Sequence, residues 1–209
     1  MSKLLLQLVI SHRDYLNRIE YGSDYDFLLK DTADQLNITF HPTDLVILRS
    51  IEEIADFIID MHRGQCKSDL LLDWLLDTIP LKNNDDAKWL ADYKDDDNNN
   101  NNVKLLALCN FDAYSDGLNF VFGQAHMNGN VAAVYLPRLT QEFYGLEKNE
   151  NLFLQRVLKE AVHEIGHAFG LAHCPISRCV MHFSNSISDT DAKAKDFCEN
   201  CRINIDERL

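Results

Sequence analysis

One segment in the last quarter of the 209-residue chain combines the residue types that bind metal ions and activate water. It runs from His163 to His173 and fits the pattern HExxHxxGxxH at every fixed position. With the composition of this chain, such a match arises by chance on the order of 2 times in 100,000. The fixed positions are therefore the first candidates for chemistry: His163, Glu164, His167, Gly170 and His173.

The spacing of this motif predicts a zinc site built on a helix. We predict a helix over Asn151–Phe169, with its first residue as the N-cap, which brings His163 and His167 to one face, one turn apart. Gly170 supplies the left-handed turn that ends the helix, so that His173 can return to the same ion. Three protein nitrogens leave a fourth position for water, which is typical of a catalytic zinc.

Glu164 lies beside the helical histidines, where it can reach a zinc-bound water without being a ligand. Zinc lowers the pKa of its water towards neutrality and polarises a carbonyl. The expected reaction is hydrolysis of a peptide bond, in which Glu164 takes the proton of the water and later delivers it to the leaving amine. The alternative, that the histidines are ordinary surface or core residues, does not account for the fixed offsets.

Four of the six cysteines form a second group with metal-binding spacing. Two follow the third histidine closely and two form a CxxC near the end of a predicted helix: Cys174, Cys179, Cys198 and Cys201. Four thiolates suit a closed structural zinc site. Disulfides and a redox CxxC are the alternatives, but we find neither a secretory signal nor a strand leading into the CxxC. Cys66 and Cys109 lack such spacing and are predicted to be buried thiols.

The elements that position these residues alternate between strands and helices through the first two thirds of the chain. Asn128-Gly129 between two apolar runs is a strong hairpin signal. The helix of the motif carries an apolar stripe opposite its histidines: Leu154, Leu158, Ala161, Ile165 and Ala168. In chain order we predict a buried strand at Lys3–Ile10, a helix from Ser23 to Asn37 with Phe27 on its apolar side, a strand at Val46–Leu48, helices at Ile51–Met61 (capped by Ser50) and Leu70–Ile79 (ended by Pro80), a central strand at Val103–Cys109, hairpin strands at Asn119–His126 and Val131–Leu136, and a helix at Asp189–Phe197.

Composition and charge restrict the class of protein. The chain has 20 Lys and Arg against 33 Asp and Glu, a net charge of −13, and 46% hydrophobic residues. This hydrophobic content is ordinary for one compact domain and excludes a disordered chain. The negative charge argues against nucleic acid and anionic membranes as partners, and no apolar run is long enough to cross a bilayer. We expect a cytoplasmic protein. The Asn-rich segment 95–102 is predicted to be a solvated loop.

These features together resemble the metzincin clan of zinc peptidases, in which the histidine motif is followed by a methionine turn. Met181, after Cys179 and Val180, supplies that methionine. Within the clan, the junction of His173 with Cys174 and the later CxxC are similar to those of the archaemetzincins. The similarity extends upstream to residues 117–123.

The resemblance implies an α/β metzincin-like zincin fold. A twisted mixed sheet with an antiparallel edge strand would lie above the zinc, and a small C-terminal lobe with a four-cysteine zinc would lie below. One catalytic domain would consist of an N-terminal lobe, 1–170, and a C-terminal lobe, 171–209. Met181 would form a hydrophobic floor under the histidines. A peptide or protein substrate would bind along Asn119–His126 of a monomer. The alternative function is a zinc-binding scaffold or adaptor of this fold with little turnover.

Overall fold

The computed structural model describes residues 3–10, 25–41, 44–82 and 103–209. The predicted Asn-rich loop at 95–102 lies outside these ranges. Within them the strands and α-helices are, in chain order, β1 (Lys3–Ile10), α1 (Tyr25–Thr39), β2 (Asp44–Glu53), β3 (Ile59–Asp60), β4 (Gln65–Lys67), α2 (Ser68–Lys82), β5 (Val103–Cys109), β6 (Ala113–Tyr114), β7 (Gly123–Ala125), β8 (Val131–Tyr135), α3 (Glu150–Ala168), α4 (Ile187–Ala192) and α5 (Glu199–Asp206).

The main sheet has five strands in the order β2-β1-β5-β8-β7. The first four strands are parallel, and β7 pairs antiparallel with β8 at the edge. The central position of β5 agrees with its largely apolar sequence, in which Lys104 is the one charged residue, because a strand with neighbours on both sides and helices on both faces buries nearly all of its side chains. The predicted mixed sheet, central strand and hairpin are confirmed, although β7 is shorter than the predicted Asn119–His126.

Alternate side chains of the sheet face two separate apolar layers. Leu6, Leu106 and Val134 pack with α1 and α3 on one face. Leu105, Ala107 and Tyr135 pack on the other face with α2 and with a small sheet of order β3-β4-β6. Cys66 and Cys109 lie in this second layer as buried free thiols, as predicted, and burial raises the pKa of both. None of the described helices has the length and apolar character that crossing a bilayer requires.

Several predicted elements between residues 25 and 82 are wrong in extent or in type. The helix predicted over Ile51–Met61 does not form: β2 continues to Glu53, and a short 3₁₀ helix at Asp56–Ile58 leads into β3. The helix predicted to end at Pro80 continues to Lys82, because a proline this close to a helix end removes only one late hydrogen bond. Phe27 on α1 is 53% exposed rather than buried.

The boundaries of the C-terminal helices also differ from those predicted. The N-cap of α3 is Asn149, whose side chain accepts the N–H of Leu152 at 3.0 Å, so the helix starts before the predicted cap Asn151. The helix predicted over Asp189–Phe197 is the short α4, which starts after a capping box at Ser186 and ends at Ala192. The CxxC opens α5 with Cys198 as N-cap, rather than closing a helix.

Candidate active site

Two of the motif histidines lie one turn apart on α3 with their rings edge to face. Nδ1 of His163 is 2.7 Å from the carbonyl oxygen of Val180, and Nδ1 of His167 is 2.7 Å from that of Leu171. Because a carbonyl only accepts, each Nδ1 carries the proton, which leaves a lone pair on each Nε2. The two Nε2 atoms face each other at 3.1 Å. Two lone pairs at this distance repel, and a cation bound by both removes the repulsion.

His173 reaches the same place because the chain reverses after α3. Gly170 has a φ of +87°, in the left-handed region that glycine favours. The N–H of Leu171 donates to the carbonyl of Gly166 at 2.9 Å, and the N–H of Gly170 donates to that of His167 at 2.8 Å, which is the Schellman pattern. Side-chain nitrogens of the three histidines consequently lie within 4.8 Å of one another. The turn predicted from the motif is confirmed.

The surroundings hold all three imidazoles in the neutral form. Burial lowers the pKa of His163 well below its usual value, lowers the pKa of His167 to about 4, and lowers the pKa of His173. The ammonium of Lys193 contributes to the lowering at each ring. Neutral imidazole is the form whose nitrogen binds a metal ion.

Glu164 is a buried carboxyl between the histidines and the edge strand. Burial raises its pKa well above the usual value, the charge of Glu160 raises it further, and the ammonium of Lys193 opposes the rise. A Cβ placed on Gly123 would lie 2.6 Å from both Cγ and Oε1 of Glu164. The backbone of β7 therefore passes directly against the carboxylate, and only glycine allows this approach.

Met181 packs against α3 and is fully buried. A Cβ on Gly166 would lie 2.5 Å from Sδ of Met181, so the methionine packs against the turn of α3 that separates His163 from His167. The carbonyl of Met181 accepts the N–H of Cys174 at 2.9 Å. This position agrees with the hydrophobic floor that the resemblance implies.

The turn of the β7–β8 hairpin is attached to the end of α3. Asn128 has a φ of +52°, and its N–H donates to the carbonyl of His167 at 2.9 Å. Its Oδ1 lies 3.1 Å from the point that a Cβ on Gly170 would occupy. The sequence predicts the hairpin but not this attachment, which joins the edge strand to the helix that carries the histidines.

The four cysteines of the second group converge below the histidines. The sulfur atoms of Cys174 and Cys198 are 3.8 Å apart, and all four sulfurs lie within 4.8 Å of one another. This distance is far above the roughly 2.05 Å of a disulfide, and all four thiols are free. The N–H of Cys198 donates to Sγ of Cys179 at 3.3 Å, and the N–H of Cys201 lowers the pKa of the Cys198 thiol.

A cleft of about 470 Å³ opens over Glu164 and the three histidines. Its wall on the side of the edge strand is largely apolar and contains Leu118, Phe120, Val121, Phe122 and Met127. The opposite side has charged and hydroxyl groups, and we call Glu160, Ser184 and Lys193 the polar wall. Nζ of Lys193 lies 3.0 Å from Oε1 of Glu160, which also accepts the hydroxyl of Thr190 at 3.0 Å.

The polar wall and Gly123 are features of the site that the motifs do not reveal. One signal was available, because Glu160 precedes Glu164 by four residues and so lies on the same face of the predicted helix. No sequence signal indicates Lys193, since it meets Glu160 across 33 residues of chain.

The sequence is similar to those of one family of peptidases. The profile of Peptidase family M54 matches residues 83–207. The archaemetzincin of Pyrococcus furiosus is 51% identical over 107 residues, which are 51% of this chain and 56% of that protein. The chain thus spans about half the length of the curated relatives it matches.

Solved structures resemble the chain over nearly its full length. The archaemetzincin of Methanopyrus kandleri superposes with a TM-score of 0.71 at 27% identity, covering 100% of this chain and 95% of that one. A zinc-dependent peptidase from Methanocorpusculum labreanum superposes with a TM-score of 0.76 at 25% identity, covering 96% and 99%. The fold implied by the resemblance is confirmed.

Proposed function

Because this chain belongs to Peptidase family M54, whose archaemetzincin members it resembles in sequence and fold, we propose that it is a zinc metallopeptidase. The reaction is hydrolysis of a peptide bond in the cleft over Glu164. The observation that carries this proposal is the convergence of three neutral imidazoles beside a buried carboxyl.

His163, His167 and His173 are the proposed ligands of the catalytic zinc, and their geometry fits that ion. The 3.1 Å between two Nε2 atoms is close to the roughly 3.3 Å that separates two tetrahedral ligands at about 2.0–2.1 Å from zinc. The carbonyls that hold both Nδ1 protons fix the tautomer that binding requires. When bound, zinc acidifies water and polarises the scissile carbonyl.

Glu164 is the proposed general base and acid. It takes a proton from the attacking water and returns it to the nitrogen of the leaving amine. Its raised pKa supports the first step, because a more basic carboxylate takes a proton from water more readily. Contact with the backbone of Gly123 restricts the carboxylate to the floor of the cleft.

The free edge of β7 is the proposed binding site of an extended peptide. Phe122 and His126 hydrogen bond to β8 through their backbones. Ladder bonds alternate along an antiparallel strand, so the N–H and C=O groups of Gly123 and Ala125 point outward. In the described part of the chain no strand pairs with this side of β7. A substrate strand can therefore add along Gly123–Ala125, within the predicted segment Asn119–His126. The N–H of Val121 donates to Ala113 and the carbonyl of Asn119 accepts from Arg63 and Gln65, so these two groups are not available to a substrate.

The four-cysteine group is the proposed structural zinc site, which gives two zinc ions per chain. The 3.8 Å between two of its sulfurs matches the roughly 3.8 Å expected for thiolates at about 2.3 Å from a tetrahedral zinc. Such a site fixes the loop between His173 and Met181. In this proposal segments 1–170 and 171–209 act as one catalytic unit, because each supplies histidine ligands.

We further propose that the enzyme works as a monomer in the cytoplasm. A single chain supplies every candidate ligand of both metal sites, so the proposed chemistry needs no second copy. The cytoplasm keeps thiols reduced, which the four-cysteine site requires.

The test compares wild type with Glu164→Gln on a peptide library, with Glu147→Gln, an exposed acid, as the matched control. We expect wild type and Glu147→Gln to cleave and Glu164→Gln to lose about 10²–10⁴-fold of the activity while keeping its zinc. Equal activity of all three proteins would contradict the role of Glu164. Zinc-loaded wild type that cleaves no peptide would instead favour the scaffold function.

A further inference from the structure

Two polar atoms of the polar wall are buried without a hydrogen-bond partner among the described residues: Oγ of Ser184 and Nζ of Lys193. The side chain of Lys193 is only 1% exposed, and its charge is balanced by the ion pair with Glu160. Buried polar atoms in native proteins nearly always have a partner. Because both residues line the cleft, a bound substrate is the natural source of that partner.

The free hydrogen-bonding groups define what this partner must offer. Lys193 has N–H groups to donate, and the hydroxyl of Ser184 can donate or accept. Oε1 of Glu160 accepts the hydroxyl of Thr190 and forms an ion pair, but no hydrogen bond, with Lys193. A group with one carbonyl oxygen and one N–H donor satisfies both free side chains. A carboxamide has both groups.

Charge and burial disfavour the other side-chain classes. A carboxylate would lie near two buried acids, Glu160 and Glu164, with only one lysine to balance them. A large apolar side chain would cover Ser184 and Lys193 without giving either atom a partner, and the loss of a buried hydrogen bond is costly. The apolar wall across the cleft can hold such side chains instead.

We propose that the polar wall is a specificity subsite that binds the carboxamide side chain of Gln or Asn in a residue next to the scissile bond. This inference rests on the proposed peptidase function and adds a preference within it. The ion pair of Glu160 with Lys193 makes the subsite neutral, and Ser184 completes its hydrogen bonding.

The preference is measured with zinc-loaded full-length protein on peptides that differ only at the two residues flanking the scissile bond. Gln is compared there with Glu and Leu, which have nearly the same size. We expect kcat/KM for the Gln peptide to exceed that for the other two by about tenfold or more. Hydrolysis with equal kcat/KM for all three would overturn the subsite while leaving the peptidase function intact. No hydrolysis of any peptide would contradict the peptidase function itself.

Variants of the polar wall identify the residues responsible. Lys193→Met and Ser184→Ala should each lose most of the Gln preference, whereas Ser188→Ala, an exposed serine of the same segment, should keep it. Glu160→Gln leaves the ammonium of Lys193 without its ion-pair partner, so the substrate preference should move from Gln towards Glu. A Gln preference that survives Ser184→Ala and Lys193→Met would overturn the proposal. If Lys193→Met does not fold, Ser184→Ala and Glu160→Gln decide the question on their own.

Discussion

Replacing Gly123 by alanine tests the contact between the edge strand and Glu164. The new Cβ would lie 2.6 Å from Cγ and Oε1 of the carboxylate, whereas ordinary contact begins at 3.4 Å. Restoring that contact requires a displacement of about 0.8 Å, shared between the strand and the side chain. A misplacement of this size in catalytic machinery costs roughly 100-fold in rate. We therefore expect kcat/KM of Gly123→Ala to fall about 100-fold.

The assay combines peptide hydrolysis, zinc analysis and thermal unfolding. Gly123→Ala should retain the proposed catalytic zinc, because the atoms nearest to the new methyl group belong to Glu164 and not to a histidine. The matched control is Gly145→Ala, where φ is +73° but nothing lies within 4 Å of the new Cβ. This control should lose some stability through backbone strain and keep its activity. Folded Gly123→Ala with wild-type kcat/KM would refute the proposed placement of Glu164.

Three further predictions concern metal content, pH and helix capping. Cys198→Ser should lose the proposed structural zinc and lower the melting temperature, whereas Cys66→Ser should leave the zinc content unchanged, and metal analysis of both variants checks this. Burial lowers the pKa of Lys104 from 10.5 to about 8, so between these values the unfolded chain binds a proton that the folded protein has released. The free energy of unfolding should therefore rise with pH across that window, and urea unfolding should show a smaller rise for Lys104→Met. Asn149→Ala should lower the free energy of unfolding, measured in urea, by about 1 kcal/mol, and Asn151→Ala should lower it far less. A larger loss for Asn151→Ala than for Asn149→Ala would contradict Asn149 as the N-cap.

Local chemistry explains which parts of the fold could be predicted from sequence. The motif fixes side chains at defined offsets on one helix, and the turn at Gly170 needs only a residue that tolerates positive φ. The hairpin around Asn128-Gly129 is likewise a property of adjacent residues. These features depend on neighbours in the chain, so the sequence alone contains their cause.

The segment Ile51–Met61 shows why other parts could not be predicted. Its apolar residues recur with helical spacing, yet its first residues extend β2 alongside β1. Two steps along β1, from Leu6 to Leu8, correspond to four steps along β2, from Ile47 to Ile51, and the extra residues of β2 interrupt the two-residue alternation that identifies a strand. Pairing with a distant strand decides the outcome, and no local pattern records that pairing.

The candidate site shows the same division between local and distant causes. Three histidines and a glutamate follow from one motif. Lys193, in contrast, lies inside the predicted helix Asp189–Phe197, whereas the observed helix ends at Ala192, just before it. Its burial results from an ion pair with Glu160, which only the folded chain brings within 3.0 Å.

The hydrogen bond from Asn128 to His167 has a consequence for where a bound peptide can be cut. It fixes the strand edge relative to the helix that carries His163 and His167, so the two cannot slide past each other. A peptide paired with β7 meets outward backbone groups only at every second residue and therefore moves in steps of two residues, about 6.8 Å each. A shift by a single residue would exchange its two faces. Alternative products from one polypeptide should thus differ in length by even numbers of residues.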